Sequence, residues 1–351
     1  MFEEKNSNLT PVDQLGEFKL IEHVTRDFAV QNPLVRKGIG DDAAVYSIGG
    51  DRVHVVSTDF LMEGVHFDLS YVPLQHLGYK SVVVNLSDIV AMNAKPFGVT
   101  VSIAMSNRFT VEAIDMLYAG IKKACDFYGV DLLGGDTSSC QAGLGISVTA
   151  IGEAAENEIV YRSGARQNDL VCLTGDVGSA YAGLQVLKRE KAVFLNNPDV
   201  QPDLTGFDYV VGRQLKPEAR LDMLEELRKV NVRPTSMIDI SDGLASELLH
   251  LCRSSKLGAT IYQDKIILDH ETVKVADEFN LPALTMGLNG GEDYELLFTA
   301  RLEDFEVLNT FRGIQIIGHM GAEGEGTWIQ MADGSSAAVT AQGFNHFKPE
   351  A

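Results

Sequence analysis

The chain has 351 residues, 45% of them hydrophobic, which suits two domains with their own cores and excludes a disordered chain. A formal net charge of −20 excludes the basic footprint of a nucleic-acid binder, so no nucleic acid is expected as a partner. No apolar run approaches the ~20 residues that span a bilayer, so no membrane partner is expected either. The acidic start Met1-Phe2-Glu3-Glu4-Lys5 lacks the basic and apolar parts of a signal peptide. Cys125, Cys140, Cys172 and Cys252 are too dispersed for a zinc site or disulfide framework, so a reducing, cytoplasmic location is expected.

Residues 1–10 read as a loose tail. Phe18, Leu20, Ile21, Val24 and Phe28 recur at helical spacing, so Gly16 to Phe28 is expected as an amphipathic helix. It leads to Gly38-Ile39-Gly40-Asp41-Asp42, where two carboxylates follow a pair of glycines. Such acids are hard oxygen donors suited to Mg²⁺, although a single instance is an ordinary surface turn. Val53 to Ser57 reads as a strand with Thr58 and Asp59 at its carboxyl end, followed by a loop carrying His66. A lone histidine is more often structural than functional.

Leu74 to Met92 reads as a helix on which Asn85 and Asp88, three apart, share a face. Asp88 lies among Val82, Val83, Val84, Leu86, Ile89 and Val90, and a carboxylate buried there needs a partner or a metal. Asn93 and Pro96 stop the helix. Phe97 to Met105 is a strand. Thr110 caps a helix to Tyr128 that stops at Gly129, with Tyr118 at the edge of its apolar face. Val130 to Leu133 is a strand ending in Gly134-Gly135-Asp136, and Leu144 to Ile151 is another.

Near Gly152 the pattern restarts, which places the boundary between residues 1–151 and 152–351. Arg162 falls in a basic turn that reads as a hairpin or a domain junction. Leu170 to Thr174 is a strand. Gly175-Asp176-Val177-Gly178-Ser179 then enters a helix over 181–187, as an anion-holding loop or a plain turn. Lys191 to Gly212 reads as an inserted loop or mobile cover. Asp239-Ile240-Ser241-Asp242-Gly243 precedes a helix, which one acid would suffice to cap, yet two flank the serine. Gly290-Gly291-Glu292-Asp293 opens a strand over 294–298, and Ile314 to Gly318 is a last buried strand. Gly343 to Phe347 is aromatic and expected to pack.

Separate acidic loops at strand and helix ends make sense if they converge on one multi-metal site. A triphosphate brings roughly four negative charges, which carboxylates repel unless Mg²⁺ comes between. No phosphate-loop or dinucleotide fingerprint is present.

Taken together, Gly38 to Val45, Ser57 to Phe67, Tyr79 to Pro96, Gly134 to Thr137, Arg162 to Ala165, Asp239 to Leu244, Gly290 to Leu296 and Gly343 to Phe347 follow one family's order. The chain resembles the thiamine-monophosphate kinases, within the ATP-using superfamily typified by aminoimidazole ribonucleotide synthetase. The resemblance implies a two-domain α/β (α+β) fold. Its amino-terminal ATP- and metal-binding sheet would form a barrel with a second copy in a homodimer, and its carboxyl-terminal α/β domain would close the active site.

It further implies direct in-line transfer from ATP to thiamine monophosphate, with several Mg²⁺ ions. Asp42, Ser57, Thr58, Asp59, Asp88, Asp136, Asp239 and Asp242 would be metal ligands, with Asp42, Asp88, Asp239 and Asp242 central to catalysis. Tyr118, Gly135, Arg162 and Ser241 would contact ATP. His66, Glu292 and Phe344 would contact thiamine monophosphate.

Two positions depart from the family pattern. Phe344 stands where Tyr or Trp is common, and Asn93 where glycine is frequent. The alternatives are another ATP enzyme of the superfamily, such as aminoimidazole ribonucleotide synthetase, and a non-catalytic calcium-binding protein. The second would carry the alternating ligands of an EF-hand loop, which are absent.

Overall fold

A computed structural model describes residues 10–341. Phe344 lies outside the described residues, as does the Gly343–Phe347 packing expected beside it. Two sheets carry the fold. The first runs over β1 (Val35–Lys37), β2 (Ala44–Gly49), β3 (Arg52–Met62), β4 (Lys95–Met105), β5 (Asp131–Ser139) and β6 (Leu144–Ala155). The second runs over β7 (Leu170–Thr174), β8 (Ser236–Asp239), β9 (Ala259–Tyr262), β10 (Leu296–Ala300), β11 (Ile314–Met320), β12 (Thr327–Gln330) and β13 (Ser336–Ala338).

Two short amino-terminal helices come first, α1 (Val12–Leu15) and α2 (Glu17–Thr25). They are followed by α3 (Leu74–Ala91), α4 (Val111–Tyr128), α5 (Ser179–Asn196), α6 (Asp208–Leu215), α7 (Leu221–Lys229) and α8 (Leu244–Ser255). The last three are α9 (His270–Glu278), α10 (Ala283–Asn289) and α11 (Phe305–Leu308).

The helix signals act as the residue chemistry dictates. The Thr110 hydroxyl accepts the Ala113 N–H at 3.3 Å, and Gly129 ends α4 in the left-handed conformation at φ 66°. Asn93 takes φ 56° just beyond α3, the conformation for which Asn substitutes for glycine. Helix α3 is buried almost all round, because it lies between the first sheet and the helices α4, α6 and α7. Its apolar residues join those of β2, β3, β4, β6 and α4 in the largest core, with Leu77, Leu86, Ile89, Leu117 and Ile146 fully inside.

The first sheet has the order β1-β2-β3-β6-β4-β5, and all its ladders are antiparallel except β4 with β5. The expected barrel is not found. A closed barrel leaves no strand edge, whereas β1 and β5 are the edges of this sheet and no ladder joins them. Among the described residues neither sheet closes. The second sheet has the order β13-β12-β9-β11-β7-β10-β8, with β8 at one edge beside β10.

Several expected elements have different limits. Strand β3 continues to Met62, so Ser57, Thr58 and Asp59 lie within it rather than past its end. Strand β5 runs through Gly134-Gly135-Asp136. The polar stretch 191–212 is helical at both ends, in α5 to Asn196 and in α6 from Asp208, and only the middle is loop. Helices α5 and α6 pack on one another, with Ala182, Val186 and Val210 in one shared core. Among the described residues no helix is long and apolar enough to cross a membrane.

Candidate active site

Strand β3 alternates its side chains. Ser57 and Asp59 therefore face α3, while Thr58 faces the opposite way. The Thr58 hydroxyl donates to the Val148 carbonyl at 3.1 Å and accepts from Thr149 at 3.1 Å. On α3, Asn85 and Asp88 meet the other two. The Asn85 amide oxygen accepts the Asp59 N–H at 2.9 Å, and Asp88 accepts from the Ser57 hydroxyl at 2.5 Å. One residue before Asp88, Ser87 reaches the second sheet and donates to Asp239 at 2.5 Å, at the carboxyl end of β8.

The loop before β2 supplies the third acid. Asp42, Asp88 and Asp239 each bring a carboxylate oxygen within 4.8 Å of the other two. Arg162 pins Asp42 from one side, its Nη2 donating to Oδ1 at 2.6 Å and its Nε to the same oxygen at 3.1 Å. The other oxygen, Oδ2, is buried and has no hydrogen-bond partner.

These acids strain one another. Burial pushes Asp42 up to about 7 against the pull of Arg162, and pushes Asp239 up to about 6 against the Ser87 hydroxyl and Arg162. Burial, then the charges of Asp59, Asp239 and Asp42, drive Asp88 well above the carboxylate range. Burial also raises Asp59. Like charges this close do not all ionise without a cation. The donors are all oxygens and one is unpartnered, so the set fits a hard divalent ion such as Mg²⁺.

The acids sit in a cleft of about 1480 Å³. Ser57, Thr58, Asp59, Arg162, Ser241, Asp242, His66 and Glu292 also line it. Ser241 and Asp242 do not cap α8, whose cap residue is Gly243 with no side-chain bond. Instead the Asp242 N–H donates to the buried Glu247 carboxylate at 2.9 Å.

Gly291 lets the two acidic loops touch, because a Cβ there would stand 2.3 Å from the Ser241 carbonyl. Glu292 follows at φ 68°, an uncommon backbone conformation for a side chain of its size, and its N–H donates to that same carbonyl at 2.7 Å. Its carboxylate is held by Lys80 at 2.9 Å and by the Gln214 amide at 2.7 Å. His66 accepts the Met62 N–H at 3.0 Å, which fixes the turn that carries it. Lys188 and Lys191 of α5 line the facing wall, and Lys191 is paired to Asp68.

Three residues expected at the site do not reach the cleft. Tyr118 packs its ring on the main core, and Gly135 and Asp136 lie in edge strand β5. Gly135 answers to packing, since a Cβ there would stand 1.8 Å from the Val101 carbonyl of β4. The glycine turn before α5 does receive a carboxyl group, but from within the chain, one that burial pushes up to about 7. Asp293 accepts the Gly178 N–H at 2.6 Å and the Ala180 N–H at 3.0 Å.

Sequence reasoning missed Ser87, Lys80, Gln214 and Glu247, and it placed Asp293 in an acidic turn without its role. Of the four missed, only Lys80 left a visible signal, as a lone cation before the apolar run of α3.

The family model for the AIR synthase related protein, N-terminal domain, matches residues 40–154. A thiamine-monophosphate kinase of Bacillus subtilis is 34% identical over 339 residues, covering 95% of this chain and 100% of that one. One from Aquifex aeolicus is 33% identical over 335 residues, covering 95% and 99%. The solved structure "AaThiL complexed with AMPPCP and TMP" has a TM-score of 0.81 at 31% identity, and covers 97% of this chain and 99% of its own. With that identity over nearly the whole of both chains, this chain belongs to the thiamine-monophosphate kinase family.

Proposed function

We infer that the protein transfers the γ-phosphoryl group of ATP to the phosphate of thiamine monophosphate, giving thiamine diphosphate and ADP by direct in-line transfer. The observation that carries this reading is the cluster of Asp42, Asp88 and Asp239 beside Arg162 in a deep cleft, in a chain of this family. The match to a structure complexed with AMPPCP and TMP supports both substrates.

Asp42, Asp88 and Asp239 would hold Mg²⁺, with Ser57, Asp59 and Asp242 at the margin and Thr58 through its main chain alone. Mg²⁺ there supplies the positive charge that lets phosphates approach a wall of carboxylates. The remaining work belongs to the chain. Arg162 holds Asp42 rigid and offers a planar, permanently charged donor to phosphate oxygens. Ser241, which lines the same cleft, would contact ATP. The attacking group is already a phosphate oxygen, so positioning and charge complementarity suffice and no strong base is needed. Glu292 and His66 would receive the thiamine end, with Glu292 fixed in advance by Lys80 and Gln214.

Two units, 1–151 and 152–351, would close the cleft between them. A homodimer in the cytoplasm is part of the same reading. Its supports are edge strand β5, with Leu132 and Leu133 exposed, and the four free cysteines. The proposal covers the residues that the cleft brings together; Tyr118, Gly135 and Asp136 stand outside it.

The test is ADP release from ATP and Mg²⁺ with and without thiamine monophosphate. Release that depends on thiamine monophosphate supports the reading. Release indifferent to it, from folded protein, refutes the acceptor.

A further inference from the structure

Gln214 is a neutral side chain in a wall of charges, and it is 4% exposed. Both of its ends are fixed. The Lys80 ammonium donates to its main-chain carbonyl at 3.0 Å, and its own amide nitrogen donates to Glu292 at 2.7 Å. The amide cannot be turned round, because its oxygen would then face a carboxylate. The oxygen, Oε1, therefore has one orientation, and there it is buried with no partner.

Gln214 lines the cleft and also a small annex of about 20 Å³ that opens beside it. The annex is otherwise walled by Leu61, Phe67, Val72, Leu77, Leu184 and Leu215, together with the polar His66, Tyr71 and Lys80. Its volume admits one group the size of a water or an amino group. A buried acceptor left unpaired is costly, so a donor completes it when the cleft is filled.

Resting on the reading that the acceptor is thiamine monophosphate, we propose that Gln214 Oε1 accepts a hydrogen bond from the exocyclic amino group of its pyrimidine ring. Apart from the phosphate, that amino group is the only N–H or O–H donor on the molecule. The ring nitrogens of the pyrimidine accept, and the thiazolium is a cation without an N–H. A neutral amino group suits a neutral amide oxygen, while the cation suits the carboxylate of Glu292 next to it. Gln214 is then a specificity residue that selects the amino pyrimidine.

The test compares kcat/KM for thiamine monophosphate with that for the analogue carrying an oxo group in place of the amino group, in wild type and in Gln214→Met. Both substrates feel the loss of the Glu292 contact equally, so their ratio isolates the acceptor. Wild type should prefer the amino substrate by on the order of 10²-fold or more, and Gln214→Met should bring the two within about threefold. KM for thiamine monophosphate should rise while KM for ATP stays unchanged. Should Gln214→Met fold poorly by thermal melting, Gln214→Asn, which withdraws the amide by one methylene, carries the same comparison.

An unchanged ratio overturns the contact and assigns Oε1 to a trapped water. A shift in preference between ATP and ITP instead would overturn it in favour of adenine. Wild type that makes no thiamine diphosphate removes the acceptor, and the proposal falls with it.

Discussion

Asp239→Asn separates what the carboxylate does for catalysis from what it costs the fold. The asparagine keeps an oxygen to accept from Ser87, now at 2.5 Å from Asp239, and changes little in shape. What it removes is a carboxyl group 3% exposed, with an oxygen within 4.8 Å of those of two others. Burial lifts Asp239 from 3.8 to about 6, which at roughly 1.4 kcal/mol per pKa unit is a penalty of about 3 kcal/mol once the group ionises. A raised carboxylate leaves the metal-free fold most stable below its ordinary value and weakens it as pH climbs through about 6, so at pH 7 the penalty is fully present. Unfolding entropy of about 2.1 cal/mol/K per residue over 351 residues converts that to a rise of about 4 °C in Tm for metal-free Asp239→Asn.

Activity should move the other way, with kcat falling on the order of 10²–10³-fold, as for loss of one buried electrostatic contact to a transition state. Thermal melting in EDTA and steady-state turnover at saturating Mg²⁺ read the two effects. Wild-type turnover in the variant would refute the role of the charge. A metal-free variant that melts well below wild type would refute the claim that the cluster is held under electrostatic strain.

Mg²⁺ binding should release protons and tighten as pH rises from about 5 to about 7.5, because Asp239 and Asp42 hold protons up to about 6 and about 7. Calorimetry in two buffers of different ionisation enthalpy measures the release, and a pH-independent affinity would contradict it. Arg162→Lys keeps the charge but loses the two donors that converge on Asp42 Oδ1, so kcat/KM for ATP should fall about 10–100-fold with the fold intact; unchanged ATP kinetics would argue against it. Asp293→Ala strips the acceptor from Gly178 and Ala180 at the start of α5, and should lower stability by about 2–3 kcal/mol in chemical denaturation, opposite in sign to Asp239→Asn. A neutral effect would mean that the buried aspartate is no cap.

The sequence carried the site where acids stood beside glycine or serine at element ends, as at Asp42, Asp239 and Glu292. The shared face of Asn85 and Asp88 is also seen, with both meeting β3. Thr58 was legible as a residue but not as a direction, since a strand that runs on to Met62 turns it to the far face. Ser87, Lys80 and Gln214 were not legible because they act across 152, 212 and 78 positions of chain, to Asp239, Glu292 and Glu292 in turn. The glycine turn before α5 looked open to an outside anion, and only the folded chain shows Asp293 already there. The open sheet could not be read from strand patterns, because closure depends on which edges meet.

The most direct test of the account is ³¹P NMR of the protein with ATP, Mg²⁺ and thiamine monophosphate. The account predicts that the thiamine monophosphate resonance is replaced by the coupled pair of thiamine diphosphate, with one ADP formed per diphosphate. Orthophosphate appearing with ADP while thiamine monophosphate persists would contradict it.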